Sequence, residues 1–139
     1  MLAWDDVSGA NAELLEFTRK VIALRKEQPL LRRENWRDGM IVNWFRADGG
    51  EQLPEDWHEE RTLCLHMERP DLKESPDVWG EVLLIFNPQA EDASFELPDF
   101  GEDDWNFALA TCPTPLSEGP VLAKKPVLAT SRSLMLFYR

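Results

Sequence analysis

The side chains with the most chemistry in this 139-residue chain are six tryptophans and 26 acidic residues. Indole faces stack on sugar rings, and carboxylates move protons or hold cations. Trp57 and Trp79 stand in polar, loop-like surroundings and are the candidates for a substrate-binding sugar platform. Trp36, Trp44 and Trp105 lie in or beside turns and strands, where anchoring of core and loops accounts for them. Neighbouring carboxylates such as Asp5–Asp6, Glu59–Glu60 and Asp103–Asp104 arise by chance in so acidic a chain and read as solvated surface, not acid–base pairs. Cys64 and His66 alternate onto one strand face, with His58 and Cys112 elsewhere, and this spacing matches no zinc motif. No metal, cofactor or catalytic residue is expected.

The elements that must position these groups are legible from periodicity. Leu14, Phe17, Val21 and Leu24 recur at helical spacing, widened by Leu15 and Ile22, after an Asn11 N-cap. Glu13 and Glu16 early, and Arg25 and Lys26 late, complement the helix dipole, and Glu16–Lys20 is an i,i+4 pair. Pro29 stops the helix near Gln28. Arg32 and Arg33 extend the basic group at that helix end. Strand-like runs follow: Met40 to Arg46, Arg61 to Met67, Glu81 to Asn87, Ala93 to Leu97, Trp105 to Ala110, Val121 to Ala123, Val127 to Thr130 and Ser133 to Tyr138. Turn signals such as Asp48-Gly49-Gly50 and Ser117-Glu118-Gly119-Pro120 separate them. With no helices between, the strands predict a mainly β fold: an antiparallel β-sandwich preceded by one N-terminal α-helix. Val82 to Phe86 is apolar on both faces, which suits a central strand.

The formal net charge of −11 repels phosphate backbones and anionic headgroups, so nucleic acid and membrane surfaces are excluded as expected partners, while neutral sugars are compatible. The first ten residues carry Asp5 and Asp6 where a signal peptide carries Lys or Arg. No apolar run approaches the roughly 20 residues that span a bilayer. A cytoplasmic location with reduced thiols at Cys64 and Cys112 is the expectation.

The string Ala3-Trp4-Asp5-Asp6-Val7, followed by Glu13-Leu14-Leu15-Glu16-Phe17-Thr18-Arg19-Lys20-Val21-Ile22-Ala23-Leu24-Arg25-Lys26 and Gln28-Pro29, resembles a stretch of the bacterial glycogen-debranching, isoamylase-type enzymes of the α-amylase superfamily. There a Ser-Trp-x-Asp-Trp-like segment precedes the last helix of the catalytic barrel. Trp4 and Asp6 match it, while Ala3, Val7 and Gln28 replace a serine, a tryptophan and a histidine. Trp44-Phe45-Arg46-Ala47-Asp48-Gly49, then Glu55-Asp56-Trp57, is similar to the family's Trp-x-Arg-Pro-Asp-Gly and Glu-Asp-Trp segments, with Ala47 for the proline. Val82 to Asn87, Phe95-Glu96-Leu97-Pro98 and Ser131 to Leu136 extend the resemblance over nearly the whole chain.

This resemblance implies a parent enzyme that hydrolyses α-1,6 linkages of glycogen, built as a (β/α)₈ barrel followed by a C-terminal β-sandwich. Residues 1–36 would be the end of the barrel (a loop and its last helix), and 37–139 the sandwich domain. Such a barrel takes about 250 residues. Its chemistry needs two carboxylates about 5 Å apart, and none of the superfamily's catalytic motifs is recognisable here. The implied role is non-catalytic, with α-glucan as partner through the parent enzyme. In the family, the segment matching Trp4, Asp5 and Asp6 lies near the substrate cleft, which makes these three substrate-binding candidates. Without a barrel, the stripe Leu14–Leu24 would fold onto the sandwich or pair two chains, because each large apolar side chain gains about 1.5–3 kcal/mol on burial. A stand-alone carbohydrate-binding module and an acidic protein-interaction domain are the alternatives.

Overall fold

A computed structural model describes residues 9–32, 39–58, 61–75, 77–98, 100, 104–121 and 126–139. One helix, α1 (Ala10–Glu27), is followed by eight strands: β1 (Ile41–Phe45), β2 (Leu63–Glu68), β3 (Glu81–Asn87), β4 (Ala93–Phe95), β5 (Trp105–Ala110), β6 (Gly119–Val121), β7 (Val127–Ala129) and β8 (Ser133–Tyr138). Six of them form one sheet in the order β1-β2-β3-β8-β5-β6, and β4 pairs with β7 in a second. Every pairing is antiparallel. The mainly β architecture with a single N-terminal helix is the one the sequence predicts. β3, apolar on both faces, lies inside the sheet between β2 and β8.

Side-chain alternation divides the large sheet into two faces. On the inner face Cys64, Leu83, Ile85, Trp105, Phe107, Met135 and Phe137 close against Phe95, Val127 and Ala129 of the small sheet. On the outer face Val82, Ala108, Leu109 and Leu136 are buried, with Leu84 and Tyr138 partly so, beneath Leu30 and the α1 residues Phe17 and Leu24. A bulge in β5 sets this partition. The register of β5 against β8 shifts between Phe107 and Leu109, so Ala108 is the extra residue. Phe107 and Ala110 consequently pack inward while Ala108 and Leu109 both pack outward.

The helix departs from expectation at its start. Asn11 lies inside it, and Gly9 is the N-cap, with its carbonyl accepting from Ala12 and Glu13 N–H groups at 3.0 and 3.2 Å. Gly9 takes φ 56°, a left-handed conformation that glycine adopts without a Cβ clash. The Glu16–Lys20 pair is also replaced. Arg19 pairs with Glu16, while Lys20 Nζ donates to the Ala108 carbonyl at the bulge and to Glu118, both at 2.9 Å. A lysine that reaches a bulge carbonyl fixes the helix on the sheet better than a pair along its own surface. At the other end Pro29 opens a 3₁₀ turn (Pro29–Leu31), and Gln28 Oε1 accepts the Trp79 N–H at 2.8 Å.

β6 starts earlier than predicted, while Leu122 and Ala123 of the predicted range lie outside the described residues. Gly119 and Pro120 read as a turn but belong to the strand, Pro120 sitting opposite Asn106. β6 is a sheet edge, where a residue without an N–H is tolerated.

Candidate functional site

The first site grows from the hairpin after β1. Phe45 bridges Glu51, Arg46 N–H donates to the Gly50 carbonyl at 2.7 Å, and Gln52 N–H to the Trp44 carbonyl at 2.8 Å. The turn needs Gly49 for its backbone angle, and Gly50 leaves room for the Arg46 guanidinium. Gly49 has φ 79°, and a Cβ at Gly50 would lie 2.5 Å from Arg46 Nη2. Arg46 then organises the loop: Nε and Nη2 donate to the two Asp48 oxygens at 3.2 Å, and Nη1 to Asp56 Oδ2 at 3.0 Å. Asp56 Oδ2 also accepts the Leu53 N–H at 2.9 Å, which anchors the 3₁₀ turn Asp56–His58. The Leu53 amide, and then Arg46, hold the Asp56 carboxyl below the usual range; Arg46, and then the Gly50 amide, do the same for Asp48.

This frame presents Trp57, which is 46% exposed, with its ring 5.5 Å from that of Trp44 at 74°. Gln52 stands opposite Trp44 in the ladder, so the two side chains leave on the same face. Gln52 is only 7% exposed, and among the described residues neither its amide nitrogen nor its amide oxygen has a hydrogen-bond partner. Each such orphan costs about 1–3 kcal/mol. The site therefore offers an exposed indole, a second indole edge-on to it, and an amide with an unused donor and acceptor.

The second site is a buried charge cluster at one end of the inner face. Glu81 Oε2 accepts from His66 Nε2 at 3.0 Å and from Arg139 Nε and Nη2 at 2.9 and 2.7 Å. Lys73 Nζ bridges Glu81 Oε1 and Glu68 Oε1, the latter at 3.1 Å. Asn43 Nδ2 lies 3.3 Å from His66 Nδ1. An amide nitrogen only donates, so His66 Nδ1 accepts and Nε2 carries the proton given to Glu81. The Arg139 guanidinium lies 4.5 Å from the Trp105 ring centroid, and the Phe100 ring stacks on His66 at 4.7 Å. Burial alone would raise the Glu81 carboxyl, but the hydrogen bonds from His66, Lys73 and Arg139 outweigh it and hold it at about 2. The Lys73 ammonium is correspondingly raised, chiefly by Glu81.

Ligand atoms of His66, Glu68 and Glu81 converge within 4.8 Å, close enough to share a cation. Lys73 already bridges the two carboxylates and Arg139 takes the remaining Glu81 oxygen, so the protein's own cations balance the charge. The arrangement is a structural clamp that ties Lys73, on the connection between β2 and β3, to strands β2 and β3 and to Arg139. Cys64, beside His66 on β2, is buried, and burial pushes its thiol up to about 12; both cysteines are free.

The sequence candidates fall in different places. Trp4, Asp5 and Asp6 lie outside the described residues, as do Trp36, Glu59, Glu60 and Asp103. Trp57 is exposed on the hairpin frame. Trp79 is half-buried and stacked on Tyr138, ring centroids 4.2 Å apart at 12°, in the cluster under α1. Trp57 and Trp79 thus belong to different surroundings. Sequence reading missed Gln52, and missed the clamp entirely. Lys73, Glu81 and Arg139 share no motif, whereas Arg46, Asp48 and Asp56 stand within the strings that carry the family resemblance.

No protein-family model matches the chain. A protein of Haemophilus influenzae named "Glycogen operon protein GlgX homolog" is 31% identical over 98 residues, 70% of this chain and 14% of its own length. A protein of the same name in Mycobacterium tuberculosis is 30% identical over 129 residues, 79% of this chain and 18% of its own. A "Glycogen debranching enzyme" of Cronobacter sakazakii is 38% identical over 60 residues, 41% of this chain. The resemblance to glycogen-debranching enzymes is thus present in sequence across most of the chain, which spans only 14–18% of the longer-matching relatives. A solved pullulanase from Bacillus acidopullulyticus covers 93% of the chain with a TM-score of 0.52 at 13% identity, a likeness of fold.

Proposed function

We propose that this chain is the C-terminal, non-catalytic part of a glycogen-debranching α-1,6-glucosidase that acts in cytoplasmic glycogen breakdown. In this reading residues 1–36 complete the catalytic barrel and 37–139 form the sandwich that supports it. α-Glucan is the substrate of the parent enzyme, and Trp4, Asp5 and Asp6 face its cleft. The observation that carries the reading is the two-sided character of α1. Phe17 and Leu24 turn toward the sheet, while Leu14 and Ile22 remain 64% and 49% exposed, with Leu15 and Val21 also exposed. A helix apolar on both sides belongs between two bodies, of which the sandwich is one. The relatives extend far beyond the 14–18% of their length that this chain covers, which leaves room for a barrel as the other.

Sequencing the source gene upstream of the Met1 codon tests the reading. The expected result is an in-frame catalytic barrel carrying two active-site carboxylates. A stop codon with a separate promoter would overturn it and make a stand-alone carbohydrate-binding module the better account.

A further inference from the structure

We infer that the hairpin loop from Trp44 to His58 is a binding site for a neutral α-glucan, in which a glucose ring stacks on Trp57 and two neighbouring hydroxyls engage the Gln52 amide. The glucan identity rests on the functional reading above; the site itself rests on three observations. First, Trp57 is exposed yet held, because Asp56 beside it is fixed by Arg46 and by the Leu53 amide. An exposed indole on a preorganised turn loses little conformational freedom on binding. Second, Gln52 is more than nine-tenths buried with both amide atoms unpartnered, on the face it shares with Trp44. One donor beside one acceptor matches the acceptor and donor of a vicinal diol. Third, Arg46, the one Lys or Arg of the loop, is engaged by Asp48 and Asp56, so it is not left over to select an anion. A neutral polyhydroxylated ligand fits what remains.

Both Gln52 atoms are closed to solvent, so hydroxyls reach them only when neighbouring side chains shift. Trp44 stands opposite Gln52 and edge-on to the exposed Trp57, so indole fluorescence reports such a shift.

The test is a maltoheptaose titration of the full 139-residue chain, followed by tryptophan fluorescence and calorimetry, with Tm measured in parallel. Wild-type chain should bind; Trp57→Ala should weaken binding at least tenfold, and Gln52→Leu at least threefold. Gln52→Leu should leave Tm unchanged or higher, since it removes an amide with no partner. Binding that survives both substitutions would place the glucan elsewhere and overturn the site. A wild-type chain that binds no maltoheptaose would do the same. So would a Gln52→Leu chain with a clearly lower Tm, because the amide would then already be bonded. None of these results touches the gene-sequence test of the parent enzyme, so the two ideas fail separately.

Discussion

The two faces of the large sheet are built from the same strands and finished to different degrees. The inner face closes against the small sheet: Phe137, Leu83 and Ile85 are fully buried, and the charge of Glu81 is paired within the protein. The outer face is covered by one helix that buries Phe17 and Leu24 only in part and leaves its own far side apolar and exposed. One face meets another element of the same domain; the other has surface left over. The difference shows that alternation along a strand can satisfy a sandwich on one side and leave a joint on the other.

The sharpest way to break this comparison is to delete one ring from each face. Phe137→Ala should cost about 3–5 kcal/mol in urea unfolding. Phe17→Ala on α1 should cost less than half of that, and equal losses would make the helix a full member of the core. Close behind comes Glu81→Gln, which leaves Lys73 and Arg139 facing a neutral amide in a buried site. A loss of about 3–5 kcal/mol is expected, and a change within experimental error would reduce the clamp to surface decoration.

Acid sharpens the same point. Glu81 titrates lower in the folded protein, about 2, than its ordinary 4.5, so the unfolded chain binds the extra proton between these values. The stabilisation is complete above pH 4.5, falls as pH drops through the window, and is about 3 kcal/mol at most. Urea midpoints recorded between pH 5 and 2 should show that slope, and Glu81→Gln should flatten it. The smallest effect is reserved for the exposed side of α1. Leu14→Glu with Ile22→Glu should change unfolding free energy by less than about 0.5 kcal/mol. The wild-type chain should nonetheless show a mass above the monomer by light scattering at high concentration, and the double variant should not. A monomeric wild type would remove pairing through Leu14–Leu24 from consideration.

What could be read from sequence follows the same division. Strand positions were legible wherever alternation met a closed face: β3, β5 and β8 coincide with the predicted runs at both ends or nearly so. The start of β6 was misplaced because Gly119-Pro120 has turn chemistry, which an edge strand overrides. The helix start was misread because Asn11 is the better cap by type, whereas Gly9 supplies the backbone angle. The clamp was illegible, since Lys73, Glu81 and Arg139 come together only through the pairing of β2, β3 and β8, whose ladder Arg139 extends opposite Glu81. Trp57 was legible as an exposed aromatic; Gln52 was not, because its isolation depends on the register of a hairpin one bridge long.

The place of β8 in the sheet has a consequence for the order of events during synthesis. It lies between β3 and β5, yet among the described strands it comes last in sequence. Until it emerges, β1-β2-β3 and β5-β6 are two half-sheets with no strand pairing between them, each exposing an apolar edge. A nascent chain in that condition is at its stickiest just before β8 arrives, and β8 is the splint that joins the halves. Nascent chains halted before β8 emerges should therefore aggregate more than chains halted just after it has emerged.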